Sequence, residues 1–259
     1  MLISWRVLRA PRVAVLAGAL FALSGCVYKE DGPPEAHFQK FGSTPPKGDT
    51  VTVCHAYGCK EQTKFTFTPA DIAEISALMA RVRRDDSPRE ERRAMAHAIA
   101  WMERRVAPIA GTATDRPGMD FGGSGVTSQQ DCVDEATNTT SYLLVLDRHG
   151  LIQHHRIDRP FAKDSINRWT HWAALIEEKA TGARFAIDSS SGPNGDNPTV
   201  QAAASFYVPN SFADRTPPER GEATADAGDP PAPASSALTR MLQSMDALGF
   251  GESPTGSLR

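Results

Sequence analysis

The chain has 259 residues, with 28 Lys and Arg against 31 Asp and Glu and a formal charge of −3. That length gives room for one or two domains. The mildly acidic balance argues against nucleic acid as a partner and against electrostatic binding to a membrane surface.

The first 25 residues read as a leader. Arg6, Arg9 and Arg12 form a basic start. Residues 13–23 form an apolar run of 11 residues, too short for the roughly 20 that span a bilayer. The run ends in Leu23-Ser24-Gly25-Cys26, which resembles a bacterial lipobox. That resemblance implies cleavage before Cys26 and acylation of its thiol; an uncleaved anchor or an ordinary signal peptide are the alternatives. Removing residues 1–25 removes three Arg and no acid, so the charge moves to −6 (25 basic against 31 acidic). The lipid would then be the contact with the membrane. Val27 stands where enterobacterial lipoproteins kept at the inner membrane carry Asp, so the expected place is the outer membrane, facing the periplasm.

Residues 26–49 carry Pro33, Pro34, Pro45, Pro46 and several Gly, and read as a tether. Residues 50–208 are expected to form the folded domain. Short strands are predicted over 50–54 and 64–67, as a hairpin. Exported proteins meet an oxidising compartment, so a Cys54–Cys59 disulfide is the favoured closure. A metal site with His55 is the alternative, although no second ligand pair follows at zinc-like spacing.

Two helices follow. Thr68, Pro69 and Asp71 give a cap, a first-position proline and a capping acid, with Ile72, Ile75, Leu78, Met79 and Val82 at helical spacing. Ser87, Pro88 and Glu90 repeat that pattern for a helix expected to end at Pro108 and Gly111, with Arg89, Arg92 and Arg93 on a solvated face. The Gly-rich stretch 110–127 lacks the Lys-Ser/Thr of a phosphate loop and reads as a loop bordering a cleft. A third helix is predicted with Ser128 as cap, Asp131 three residues on, Cys132 at about its fourth position and Gly150 as its stop. The sequon Asn138-Thr139-Thr140 falls inside it and is read as chance. Strands are expected over 151–157, about 169–178, and 183–188. Helices before an antiparallel sheet give an α+β class. Residues 209–259 are a Pro- and Ala-rich tail with a short amphipathic helix near 236–248.

With Cys26 assigned to lipid and Cys54 to Cys59, Cys132 is left as an unpaired thiol. In an exported chain it is either a nucleophile or a buried inert Cys. A helix N-terminus favours negative charge, which suits a thiolate. His171 and Asp188 lie on the two predicted strands joined by the loop 179–182. Directly opposed residues in that hairpin sum to 361, so His171 faces Ser190 and shares a sheet face with Asp188. Nucleophile, base and orienter in that arrangement can perform acyl transfer.

The order Cys132, His171, Asp188 resembles the transglutaminase-like core. The likeness includes the small Ala136 one turn after the Cys, the segment Trp169-Thr170-His171-Trp172, and Ile187-Asp188 closing the hairpin. It is similar also to bacterial transglutaminase-like cysteine peptidases, which carry an acid just after the Cys, as Asp134 does here. The resemblance spans about residues 69–192. It implies a papain-like or transglutaminase-like α+β core, a Cys-His-Asp triad and hydrolysis of an amide or peptide bond in a protein or peptide substrate, with no cofactor. It departs in having Gln130 where the family usually has Gly. Oxyanion donors are expected from the Cys132 backbone amide or the side chains of Gln129 or Gln130. No metal is expected at His149, His154 and His155, since His154 and His155 point to opposite strand faces. The rival reading is an inactive envelope lipoprotein that uses the same fold to bind a protein.

Overall fold

A computed structural model describes residues 27–28, 32–118, 121–165 and 168–206. The leader, the acylation position Cys26, the last two residues of the expected domain (207–208) and the tail 209–259 lie outside the described residues. Among the described helices none is long and apolar enough to cross a membrane.

The fold is α+β. Strand β1 (Val27–Tyr28) and helix α1 (Glu35–Lys40) precede a hairpin of β2 (Thr50–His55) and β3 (Glu61–Thr66). Helices α2 (Pro69–Val82), α3 (Pro88–Ala110) and α4 (Cys132–Arg148) come next. Strands β4 (His155–Ser165), β5 (Arg168–Glu178), β6 (Arg184–Asp188) and β7 (Thr199–Ala202) complete the sequence of elements. The main sheet has five antiparallel strands in the order β1-β4-β5-β6-β7, and β2-β3 forms a separate two-stranded sheet.

The caps explain the helix starts. Thr68 accepts from Asp71 N, and Asp71 Oδ2 accepts from Thr68 N at 2.8 Å, a complete capping box. Ser87 caps α3, but Glu90 does not close a box there: it binds Arg84 at 2.7 Å and Arg93 at 3.3 Å. Helix α3 also continues through Pro108 and stops at Gly111, whose φ of 79° is the left-handed conformation that glycine adopts without strain. A proline in the final turn removes one amide bond without ending the helix.

The core lies between α3, α4 and one face of the sheet. Ile99 and Met102 of α3 and Leu143 and Leu146 of α4 meet Ala174, Ile176 and Ile187 of the sheet, and the hairpin adds Val51, Val53 and Phe65. On the other face Phe161, Ala173, Leu175 and Ala186 gather around Phe206.

Three expectations are corrected. The stretch read as a tether folds onto the domain: Phe38 is fully buried, and His37 Nε2 pairs with Thr137 Oγ1 at 3.0 Å. Arg92 is not solvated; it is buried, bonds Glu178 at 3.1 Å and stacks on the Phe185 ring at 3.8 Å. Strand β4 begins at His155, because residues 153–155 are first taken up by Glu91. That buried carboxylate accepts from Gln153 N at 2.7 Å, His154 N at 2.9 Å, His155 N at 3.1 Å and His155 Nδ1 at 2.9 Å. Burial opposes its charge, but His155 and the backbone donors prevail and hold its pKa down at about 2.

Replacing Glu91 by Ala leaves these donors buried without an acceptor. The expected loss is about 3–5 kcal/mol, read as a shift in the urea midpoint, with Glu91→Gln losing less because one oxygen remains.

Candidate active site

Cys132 is the first residue of α4, not the fourth. The cap is Asp131, whose carboxylate accepts from Val133 N at 3.1 Å and Asp134 N at 2.9 Å. Ser128 does not cap because the two residues after it are held outside the helix by bonds to other parts of the chain. Gln129 O accepts from Ala56 N at 2.8 Å, and Gln130 N donates to Asp115 Oδ1 at 2.7 Å.

Cys54 and Cys59 form the disulfide. Inside it, Ala56, Tyr57, Gly58 and Cys59 all have positive φ, between 58° and 70°. A non-glycine residue in that region costs on the order of 1–3 kcal/mol. Such a run turns successive N–H groups inward, a concavity for an anion. Here the anions are side chains of α4. Asp134 accepts from Tyr57 N at 2.8 Å and Cys59 N at 2.6 Å, and Asp131 accepts from Gly58 N at 3.1 Å. Burial and the Asp131 charge outweigh these bonds and push Asp134 up to about 7. Cys54, Cys59 and Asp134 lie within 4.8 Å of one another, but the sulfurs are oxidised to the disulfide and are not thiolate ligands. His55 pairs with Thr63 Oγ1 at 3.0 Å.

The β5-β6 register pairs Ala174 with Ile187 and Glu177 with Arg184, as the parity predicts. His171 Nε2 donates to Asp188 Oδ2 at 3.0 Å. Ser190 fixes the other oxygen: its N and Oγ donate to Asp188 Oδ1 at 3.1 Å and 2.8 Å. Helix α4 brings the thiol to the start of β5, with Cys132 Sγ 3.8 Å from the carbonyl O of Thr170, the residue before His171, and near enough to the imidazole to act on its protonation. With Nε2 on Asp188, Nδ1 is the ring nitrogen left for sulfur. Burial works against an imidazolium, but the bonds and charges of Asp188 and Cys132 raise His171 to about 10. The Phe206 ring stacks on the imidazole at 5.2 Å and 22°. Trp172 forms a wall with Phe41, and Lys40 Nζ sits 4.8 Å over its ring. Sequence reasoning placed Ser190 opposite His171 without a role and gave no signal for Phe206.

Behind Asp188 lies a set of buried acids. Burial pushes Glu103 up to about 7, although Gly195 N donates to it at 2.9 Å. Burial likewise pushes Asp115 up to about 6, and Glu135 stands well above its ordinary range, through burial and then the charges of Glu103, Asp115 and Asp188.

Gln129 and Gln130 do not serve as expected. Gln129 Nε2 donates to Thr114 O at 3.0 Å and Ser128 O at 3.3 Å, and Gln130 Nε2 donates to Cys54 O at 3.1 Å. Both are committed to holding loops. The Cys132 N–H, at the first helical position, belongs to the amides without an intrahelical acceptor and is the better oxyanion donor. His149 pairs with Asp49, His154 with Asp86 and His155 with Glu91. Comparison with known protein families, curated proteins and solved structures finds no match to this chain.

Two outcomes follow from this geometry. Asp134→Ala removes the acceptor for Tyr57 and Cys59; a loss of roughly 2–3 kcal/mol is expected in denaturant titration, with slower alkylation of Cys132. The second concerns pH. Asp115, Asp134, Glu103 and His171 hold protons more tightly folded than unfolded. Their contribution is present at low pH and is lost as pH rises through about 6, 7 and 10. Glu90 and Glu91, held at about 2, contribute in the opposite sense and lose their effect as pH falls below their ordinary 4.5. The thermal midpoint should therefore peak between about pH 4 and 5 and fall steadily toward pH 9.

Proposed function

We propose that the chain is a lipid-anchored cysteine hydrolase of the transglutaminase-like or papain-like type, acting on an amide or peptide bond at the periplasmic face of the outer membrane. The observation that carries this is Cys132 at a helix start, with its Sγ 3.8 Å from Thr170 O, next to an imidazole whose Nε2 is bonded to Asp188 at 3.0 Å.

The chemistry runs from an imidazolium, since His171 is raised to about 10. The Cys132 thiolate attacks the carbonyl carbon, and its N–H receives the developing oxyanion. His171 gives its proton to the departing amine as the C–N bond breaks, leaving a thioester. The neutral imidazole then takes a proton from water, which attacks the thioester and releases the acid and the thiolate. Asp188, fixed by Ser190, keeps the ring oriented. Hydrolysis is preferred to cross-linking because the bacterial branch that the motifs resemble is proteolytic.

A second reading rests on exposure. Cys132 keeps only 7% of its surface, which suits a site retained for binding. Iodoacetamide separates the two. In the enzymatic reading Cys132 alkylates readily at neutral pH, and His171→Ala slows it on the order of tenfold or more. Asp188→Asn slows it less. A thiol that stays inert in the folded protein, with Cys132→Ala leaving every envelope phenotype intact, sinks the enzyme.

A further inference from the structure

The strand that begins one residue after Cys26 belongs to the same sheet as His171. Val27 pairs with Lys163, and Lys163 pairs with His171 on its other side. Tyr28, Ala162 and Trp172 form the adjacent row. Neighbouring strands lie about 4.8 Å apart, so Val27 is roughly 10 Å from His171 across the sheet. Cys26 is one further Cα step away, about 3.8 Å.

The direction follows from the register. Strands β1 and β4 are antiparallel, so β1 runs away from the β4-β5 connection, and its first residue, Val27, is the one nearer that connection. That is the end of the sheet where His171 and the start of α4 meet. The other end of β5, at Glu178, is seven residues farther, roughly 23 Å at 3.3 Å per residue. A free 24-residue tether over 26–49 would instead have spread its ends by roughly 27 Å, in every direction.

The segment after β1 tightens the same coupling. Phe41, just past α1, packs on Trp172 with ring centroids 5.2 Å apart, and Lys40 covers that ring. The chain that leads from the anchor is therefore also a wall of the candidate active site.

We propose that this site works at the bilayer surface, and that its substrates are polypeptide segments lying within about 15 Å of the headgroups, the juxtamembrane stretches of membrane-anchored proteins. The proposal rests on acylation at Cys26 and on Cys132 as the nucleophile. A freely diffusing peptide is the poorer substrate, because a surface-bound one shares the membrane plane with the enzyme and meets it at a raised effective concentration.

The test uses the mature lipoprotein in vesicles of phosphatidylethanolamine and phosphatidylglycerol, with two alkylating probes. One is soluble iodoacetamide. The other is iodoacetamide carried on a phosphatidylethanolamine headgroup by a spacer of about 10 Å, within the span set by the sheet. The variant inserts about 20 Gly and Ser residues between Cys26 and Val27, which uncouples the sheet from the anchor. The expected result is that the insertion lowers labelling by the lipid probe on the order of tenfold and leaves soluble labelling unchanged. Equal lipid-probe rates in both proteins overturn the proposal. So does a mature protein whose mass shows no acyl chains.

A second measurement does not depend on thiol chemistry. In a Cys132→Ser background, Thr170→Cys carries a donor dye and the headgroups carry the acceptor. High energy transfer that drops with the insertion supports the placement; transfer unaffected by the insertion overturns it. A Cys132 inert to both probes overturns the nucleophile, and with it the enzymatic reading, while the energy transfer still decides where the site lies.

Discussion

Two carboxylates at the start of α4 hold the turn of the β2-β3 hairpin against the helix that begins with Cys132. Asp131 and Asp134 fill the N–H concavity of residues 57–59, and that concavity exists because four consecutive residues adopt positive φ. Without an anion the left-handed run would turn its amides into a void, at a cost several hydrogen bonds deep. Without the disulfide the run would have many extended alternatives in the unfolded chain. Asn138 finishes the clamp from one turn further along α4, giving and taking bonds with Cys54 at 2.9 Å and 2.7 Å. The apparent glycosylation sequon is thus a structural device, with its Asn fully engaged in the interior. Because Cys132 lies between the two clamping acids, its position is set by this junction and not by helix propensity.

The same junction creates an electrostatic problem that the neighbouring groups resolve. It gathers the carboxyl groups of Asp131, Asp134 and Glu135 at the first turn of α4, near the His171–Asp188 pair. Burial answers part of this by keeping protons on Glu135 and its neighbours, which removes negative charge from the wall of the site. His171 answers the rest by remaining an imidazolium. Proton retention in the wall and charge on the ring act in one direction. Both make the wall less negative.

Sequence reading reached the parts of this arrangement that local rules govern. Hairpin parity depends only on loop length and strand pleat, so the shared face of His171 and Asp188 was legible. So were the caps at Thr68 and Ser87, which require only a hydroxyl and the right spacing. The cap of α4 was misread because Ser128 and Asp131 both satisfy the local rule. Long-range bonds from Asp115 and Ala56 decide between them by keeping 129–130 out of the helix. Arg92 and Glu91 look like surface charges on any helical wheel; their burial depends on partners 62 to 86 residues away. The oxyanion expectation for Gln129 and Gln130 failed for a related reason. A side-chain amide close in sequence to a nucleophile is equally close to unsatisfied loop carbonyls, and here the carbonyls took it.

The N-terminal segment failed as a tether for a physical reason that bears on function. Its prolines and glycines are real, but they punctuate two anchoring contacts and do not prevent them. Phe38 enters the interior, and the backbone of Val27 and Tyr28 completes an edge of the sheet. An edge strand left open at β4 would expose unpaired amides next to the His171 end of the sheet, so pairing with β1 also covers a vulnerable surface. The consequence is convergence. Strand β1, the segment after α1, the start of α4 and the Phe206 turn after β7 all meet at the His171 end of one sheet. Val27, Lys163 and His171 thus lie in one row across three adjacent strands.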